Sequence, residues 1–204
     1  MNRIALCVVV CSMICAWPAA VPADTLTRVV DFDHGIDGSA IPSGRGVTTT
    51  YAWWHVTFGL VSGGQCWACC TVANGNCVYR STISPPNWAS LRGSASCPDI
   101  SESRDGLISA TLDVPCSFVS IVIDPTGEAS QGVLRAYDVD GMLIDETVSQ
   151  PGILQTISLT AAGIRRADFS GLGSSLVRCD DFTFAYDTTS AENATWGAIK
   201  ALYR

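Results

Sequence analysis

Four cysteines fall within twelve positions in the stretch SGGQCWACCTVANGNC, residues 62–77. Cys66 and Cys69 have the spacing of half a zinc knuckle, whose second half would be another Cys-x-x-Cys or a His pair. The next cysteines along the chain are instead Cys70, Cys77 and the distant Cys97, and neither histidine lies nearby. The same Cys-x-x-Cys suits a redox centre, but that motif belongs at the start of a helix in a βαβ unit. Here it stands among turn residues. Disulfides are the simpler chemistry, and Cys69 and Cys70, being adjacent, would bond to different partners. Cys116 and Cys179 lie in or beside strand-like runs, either as a pair across the fold or as buried thiols. For acid–base work only His34 and His55 titrate near neutrality. No G-x-S-x-G elbow and no H-E-x-x-H pair accompanies them. A carboxylate pair acting on glycosides is the remaining catalytic route. The reading adopted is a protein that is not an enzyme.

Disulfides need an oxidising compartment, and the N-terminus offers the route to one. Arg3 is followed by an apolar run at 4–16, and Val21-Pro22-Ala23 puts small residues before a cut at Asp24. The run is too short to span a bilayer, which takes about 20 residues. Residues 1–23 are therefore expected to be a signal peptide that carries away Cys7, Cys11 and Cys15. Seven cysteines remain, an odd number, so at least one is free, buried or intermolecular. The formal net charge of −7 becomes 11 − 19 = −8 once Arg3 is removed. Such an acidic balance argues against nucleic acid and anionic membranes as partners. The expected location is extracellular or periplasmic.

The elements that must position these groups are strands. Thr27–Asp33 is a short β-rich run. Trp54, Val56, Phe58 and Leu60 alternate, as do Ile108, Ala110, Leu112 and Val114. Residues 118–123, FVSIVI, read as a central strand set off by Pro115-Cys116. Residues 132–148 read as a hairpin turning at Asp140-Gly141. Residues 153–159, 163–169 and 177–186 complete roughly eight strands, and no amphipathic helix interrupts 24–187. This predicts an all-β, antiparallel β-sandwich over 24–187. Residues 62–105 form a Cys-rich loop insertion, which something must tie down. Residues 188–204 are a polar linker and a short amphipathic tail with Trp196, Ile199, Leu202 and Tyr203 at helical spacing. A helix that short is marginal unless it docks.

Several stretches carry a resemblance: VVDFDHGIDGSAIPSG, Tyr51, VTF at 56–58, LRAYDVDGMLIDE, GIRRADFSG and the closing CDDFTF. Together they resemble bacterial secreted jelly-roll domains of the galactose-binding-like, carbohydrate-binding-module type. The likeness covers about 27–186 apart from the cysteine insertion, and His55 departs from it where such domains often have Gly. The ending TWGAIKALYR is similar to a terminal segment of some exported bacterial proteins, which implies association with the cell surface. The resemblance implies a non-catalytic module for carbohydrate or a cell-surface ligand. The alternatives are a structural or adhesive surface protein without a small ligand, and a secreted glycoside-acting hydrolase. It also implies a structural calcium ion where the first and last strands meet.

Two sets of residues fit those expectations. Asp31, Asp33, Asp37, Asp180 and Asp181 could supply hard oxygens to calcium, against the alternative that they cap turns and strand ends. With Phe182 and Phe184 inward, parity sends Asp181 outward and gives Asp180 the parity of the core. If Trp54, Val56 and Phe58 face the core, Trp53 and His55 face out. An exposed Trp offers a flat apolar face to a sugar ring and an imidazole offers a hydrogen bond. Trp67, Tyr79 and Trp88 would complete that platform, against the alternative that the insertion folds over Trp53 and buries them all.

Overall fold

The structure, a computed structural model, describes residues 24–42, 45–61, 67–69, 72–73, 76–77, 87–90, 107–173, 175 and 177–188. The signal peptide, most of the cysteine insertion and the tail lie outside the described residues. The strands are β1 (Thr25–Val30), β2 (Arg45–Gly46), β3 (Val56–Leu60), β4 (Trp67–Cys69), β5 (Val72–Ala73), β6 (Asn76–Cys77), β7 (Trp88–Ser90), β8 (Ile108–Pro125), β9 (Gly132–Tyr137), β10 (Leu143–Val148), β11 (Gln155–Gly171) and β12 (Val177–Asp187). Every pairing is antiparallel. The chain is all-β, as its alternation predicts. Among the described residues no helix is long and apolar enough to cross a membrane.

Two strands are longer than the sequence suggests. The runs at 108–114 and 118–123 are one strand, β8, that continues through Pro115; those at 153–159 and 163–169 are one strand, β11. The pairing slips between Thr160 and Ile164, where Gly163 has φ of 79°. Residues that look like breaks are therefore bulges, which bend a strand without ending it. The bends let β8 and β11 serve two layers. Their first layer is β10-β9-β11-β8-β3, built on the N-terminal part of β8 and the C-terminal part of β11. Their second layer joins the remaining halves of β11 and β8 to β12, and then to β1 and β7 along the far side of β12.

The layers close on an aromatic core. Phe58 of β3 and Phe169 of β11 lie 5.6 and 5.4 Å from Phe182 of β12, ring centre to ring centre. Phe182 in turn stacks on Phe184, and Phe184 on Tyr186. Phe32, Phe58, Phe169, Phe182 and Phe184 are all essentially inaccessible. Aromatic pairs of this kind contribute about 0.5–1.5 kcal/mol each beyond the area they bury.

Four expectations need correction. The strand predicted from Trp54 begins at Val56, because Ala52–Trp54 forms a 3-10 turn. The first strand ends at Val30, so Asp31 and Asp33 belong to the turn after it. The insertion is not wholly loop: β4 and β7 extend the second layer past β12, and β5 pairs with β6 across Asn74-Gly75, residue types that favour two-residue hairpins. In β12, Asp181 has φ of 48° and the pairing slips between Asp180 and Thr183. Core positions therefore change parity there, from Val177 and Cys179 to Phe182 and Phe184. Asp180 does not inherit its facing from the phenylalanines.

Candidate functional site

The turn that carries Trp53 is built by short-range hydrogen bonds. Ala52 N–H donates to Thr49 O, Trp54 to Tyr51 O and His55 to Ala52 O, at 3.2, 2.8 and 2.9 Å. Tyr51 fixes it to the core: its ring is fully buried against Phe32, Trp54 and Phe58, and its hydroxyl donates to His34 O at 3.0 Å. Trp54 packs partly on the core with the Arg28 guanidinium 5.4 Å from its ring centre. His55 closes the turn in the left-handed region, φ 68°, with its ring edge-on to Tyr186 at 5.4 Å. Trp53 stands at the apex and is 84% exposed. Trp53 faces outward because of the turn rather than strand parity.

From this turn the chain enters β3 and the first layer. His55 O accepts from Asp113 N–H at 2.9 Å, and one rung on, Thr57 lies opposite Thr111, Thr111 opposite Arg166, and Arg166 opposite Tyr137. Their neighbours Val56, Phe58, Leu112 and Ala167 are buried, so alternation turns this row outward. The next row on that face is Gly59, Ser109, Asp168, Arg135 and Glu146, with Ser109 and Asp168 buried beneath their neighbours. The Arg166 guanidinium carbon sits 4.0 Å from the centre of the Tyr137 ring. Its Nε is 3.2 Å from Asp168 Oδ1, a close ionic contact in which neither atom has an aligned hydrogen bond. Asp168 is 1% exposed, and burial pushes its carboxyl up, opposed by Ser109, Arg166, Tyr137 and Arg135. Arg135 Nε bonds Glu146 at 2.5 Å. The rows thus combine an aromatic ring, a stacked cation, paired charges and hydroxyls. This strip was missed in the sequence because each strand contributes only one or two of its residues.

The five aspartates have a different setting. Asp31 accepts from the N–H groups of Asp33 and His34 and from His34 Nδ1, each at 2.9–3.0 Å. The hydrogen bond and charge of Asp31 hold the His34 imidazole above its ordinary pKa. Asp37 accepts from Ser39 N–H and Oγ, which holds its carboxyl below the usual range. Asp31 and Asp37 therefore cap the turn at 31–41. Asp33 and Asp180 are instead buried, at 2% and 0% exposure. They belong to a junction where β1, paired from Val30 to Phe182, and β7, paired at Cys179, meet end to end along β12. Asp181 there has its left-handed φ, and so does Phe32 at 55°. Asn87 locks the junction: its N–H donates to Asp33 Oδ1, and its side-chain amide donates to Phe32 O and Ile41 O. Asn87 Oδ1 is buried and accepts no hydrogen bond.

A hard cation fits only part of the predicted set. Among the described residues no three His, Cys, Asp or Glu side chains come together to hold an ion. Asp33 is hydrogen-bonded by Asn87, Asn87 Oδ1 is buried and unsatisfied, and Asp180 is buried on β12; oxygens of these types are the kind calcium takes. Asn87 was not foreseen.

The remaining predicted residues divide between described and undescribed regions. Trp67 and Trp88 lie on paired strands, Trp67 opposite Ser90 and Trp88 opposite Cys69. Tyr79, Cys66, Cys70 and Cys97 lie outside the described residues, and of Cys69 and Cys77 only the strand positions are described. Cys116 and Cys179 are both buried. Cys116 lies opposite Tyr186 on β12, seven residues from Cys179 and so roughly 23 Å away along the strand. A disulfide needs Cα atoms about 6 Å apart, so the two do not pair with each other. Burial pushes the Cys116 thiol up to about 12, which leaves it protonated and inert.

The chain matches no known family model and no curated protein. A solved structure of the Clostridium thermocellum N-terminal endo-1,4-beta-D-xylanase 10B CBM22-1-GH10 modules, complexed with xylohexaose, is similar at a TM-score of 0.32 and 13% identity. The match covers 84% of this chain and 29% of that one.

Proposed function

We propose that this protein is a non-catalytic carbohydrate-binding module whose ligand stacks on Trp53 and is hydrogen-bonded along the strip from His55 and Asp113 to Arg166 and Tyr137. The observation that carries this reading is the 84% exposure of a tryptophan on a turn that is itself anchored in the core. An exposed indole on a rigid support gives a flat apolar face with little ordering cost on binding. The hydroxyls of Thr57 and Thr111 and the charged pairs beside them suit a polyol, whose hydroxyls both donate and accept. A glycan array probed with the wild-type chain and with Trp53→Ala tests this. Binding to at least one glycan class, lost in the variant, is expected. Reducing-sugar release from the bound glycan would instead identify a hydrolase.

Calcium at the junction is the second part of the proposal. Asp33, Asp180 and Asn87 would hold it, and a bound cation would offset the desolvation of two buried carboxylates. Calcium is expected to raise the Tm of chelator-treated protein, and Asp180→Asn is expected to abolish the rise. An unchanged Tm in the wild-type chain would remove the ion from the account.

A further inference from the structure

The β9–β10 hairpin concentrates apolar surface that the fold leaves bare. Six of the ten exposed large hydrophobic residues among those described lie between 139 and 153: Val139, Met142, Leu143, Ile144, Val148 and Ile153. β10 pairs with β9 alone among the described strands and ends the sheet. It is exposed at every position but Thr147. An edge of this kind offers unpaired backbone groups to another segment.

The charge on the hairpin narrows the occupant. From Arg135 to Val148 there are four acids, Asp138, Asp140, Asp145 and Glu146, against one base. A second copy paired antiparallel on β10 and centred on the strand would set Asp145 of each copy against Glu146 of the other. Like charges directly opposite destabilise such a pairing. An apolar segment carrying positive charge meets no such penalty.

This chain contains one. Residues 196–204, WGAIKALYR, combine Trp196, Ile199, Leu202 and Tyr203 with Lys200 and Arg204 and no acid. The segment is also within reach. From Tyr186 of β12 the ladder crosses Cys116 to Ile164; two residues along β11, Arg166 lies opposite Tyr137, which lies opposite Leu143, so four strand spacings and two residue steps separate the ends, roughly 20 Å across the sheet. The eight residue steps from Thr188 to Trp196 span up to roughly 26–29 Å when extended.

We infer that residues 196–204 dock in cis on the β10 edge, with the apolar stripe against Met142, Leu143 and Ile144 and with Lys200 beside Asp145 and Glu146. The docked tail covers the exposed edge and supplies the surface that a short amphipathic segment needs to order.

The sequence provides its own reporter, because Lys200 is the only lysine. Zero-length carbodiimide coupling of the full chain, mapped by peptide mass spectrometry, joins an amine to a touching carboxylate. The expected product links Lys200 to Asp145 or Glu146. It persists on hundredfold dilution and, in a mixture of isotope-labelled and unlabelled chains, forms within one copy. Trp196→Ser with Leu202→Ser, which change no strand residue, should cut its yield at least fivefold. Linkage only between copies would replace the tail by a second molecule as the occupant. Linkage of Lys200 to other carboxylates, no linkage at all, or full yield in the double variant would overturn the proposal.

Discussion

The turns at 31–41 and 51–55 flank the same short strand β2, yet they treat their functional side chains in opposite ways. The first consumes its polar groups. Asp31 and Asp37 cap their own turn, and Asp33 is buried under Asn87. The second satisfies its backbone with its own carbonyls, so no side chain is consumed in capping it, and Trp53 is left in solvent. Tyr51 links the two by donating from the second turn to His34 O in the first. The difference shows that residues with ligand chemistry are not all available for ligands. Availability is decided by whether the backbone needs the side chain.

The largest effect should come from breaking the first turn. Asn87→Ala removes two buried donors and strands Phe32 O and Ile41 O. The expected loss is about 2–4 kcal/mol of stability, since each buried acceptor left unsatisfied costs about 1–3 kcal/mol. Urea unfolding measures it. Severing the link between the turns should cost less. Tyr51→Phe keeps the aromatic packing and loses one hydrogen bond, a change of about 1 kcal/mol in the same experiment. An undiminished midpoint would mean that the turns are independent.

The smallest effect is at His34, which is exposed. Its imidazole is raised above 6.5 by Asp31. A raised base contributes stability that is fully present below the unfolded value and is lost as pH rises through the folded value. Asp31→Asn should return the His34 titration, followed by NMR, to its ordinary range. If the titration stays raised, Asp31 is not the cause.

The two turns were not equally legible in the sequence. Aspartates near Gly and Ser announce a capped turn, because these side chains bond backbone N–H groups two residues on. The burial of Asp33 was not legible, because its partner Asn87 is 54 residues away. The sequence places Trp53 in solvent by an alternation that does not exist, since His55 is left-handed and β3 starts one residue later. The 132–148 hairpin was legible because Gly141 takes φ of 78° at the expected turn. Pro115 and Gly163 misled because the residue types that stop strands also bend them. The row from Thr57 to Tyr137 depends on register across four strands, and alternation within one strand carries no register.

The account rests most directly on Trp53, and isothermal titration of the wild-type chain and Trp53→Ala with a glycan selected by the array tests it. The account predicts at least a tenfold loss of affinity, with stability within about 0.5 kcal/mol because the side chain touches little of the fold. Equal affinity in the two proteins would contradict it and move the binding surface away from this turn.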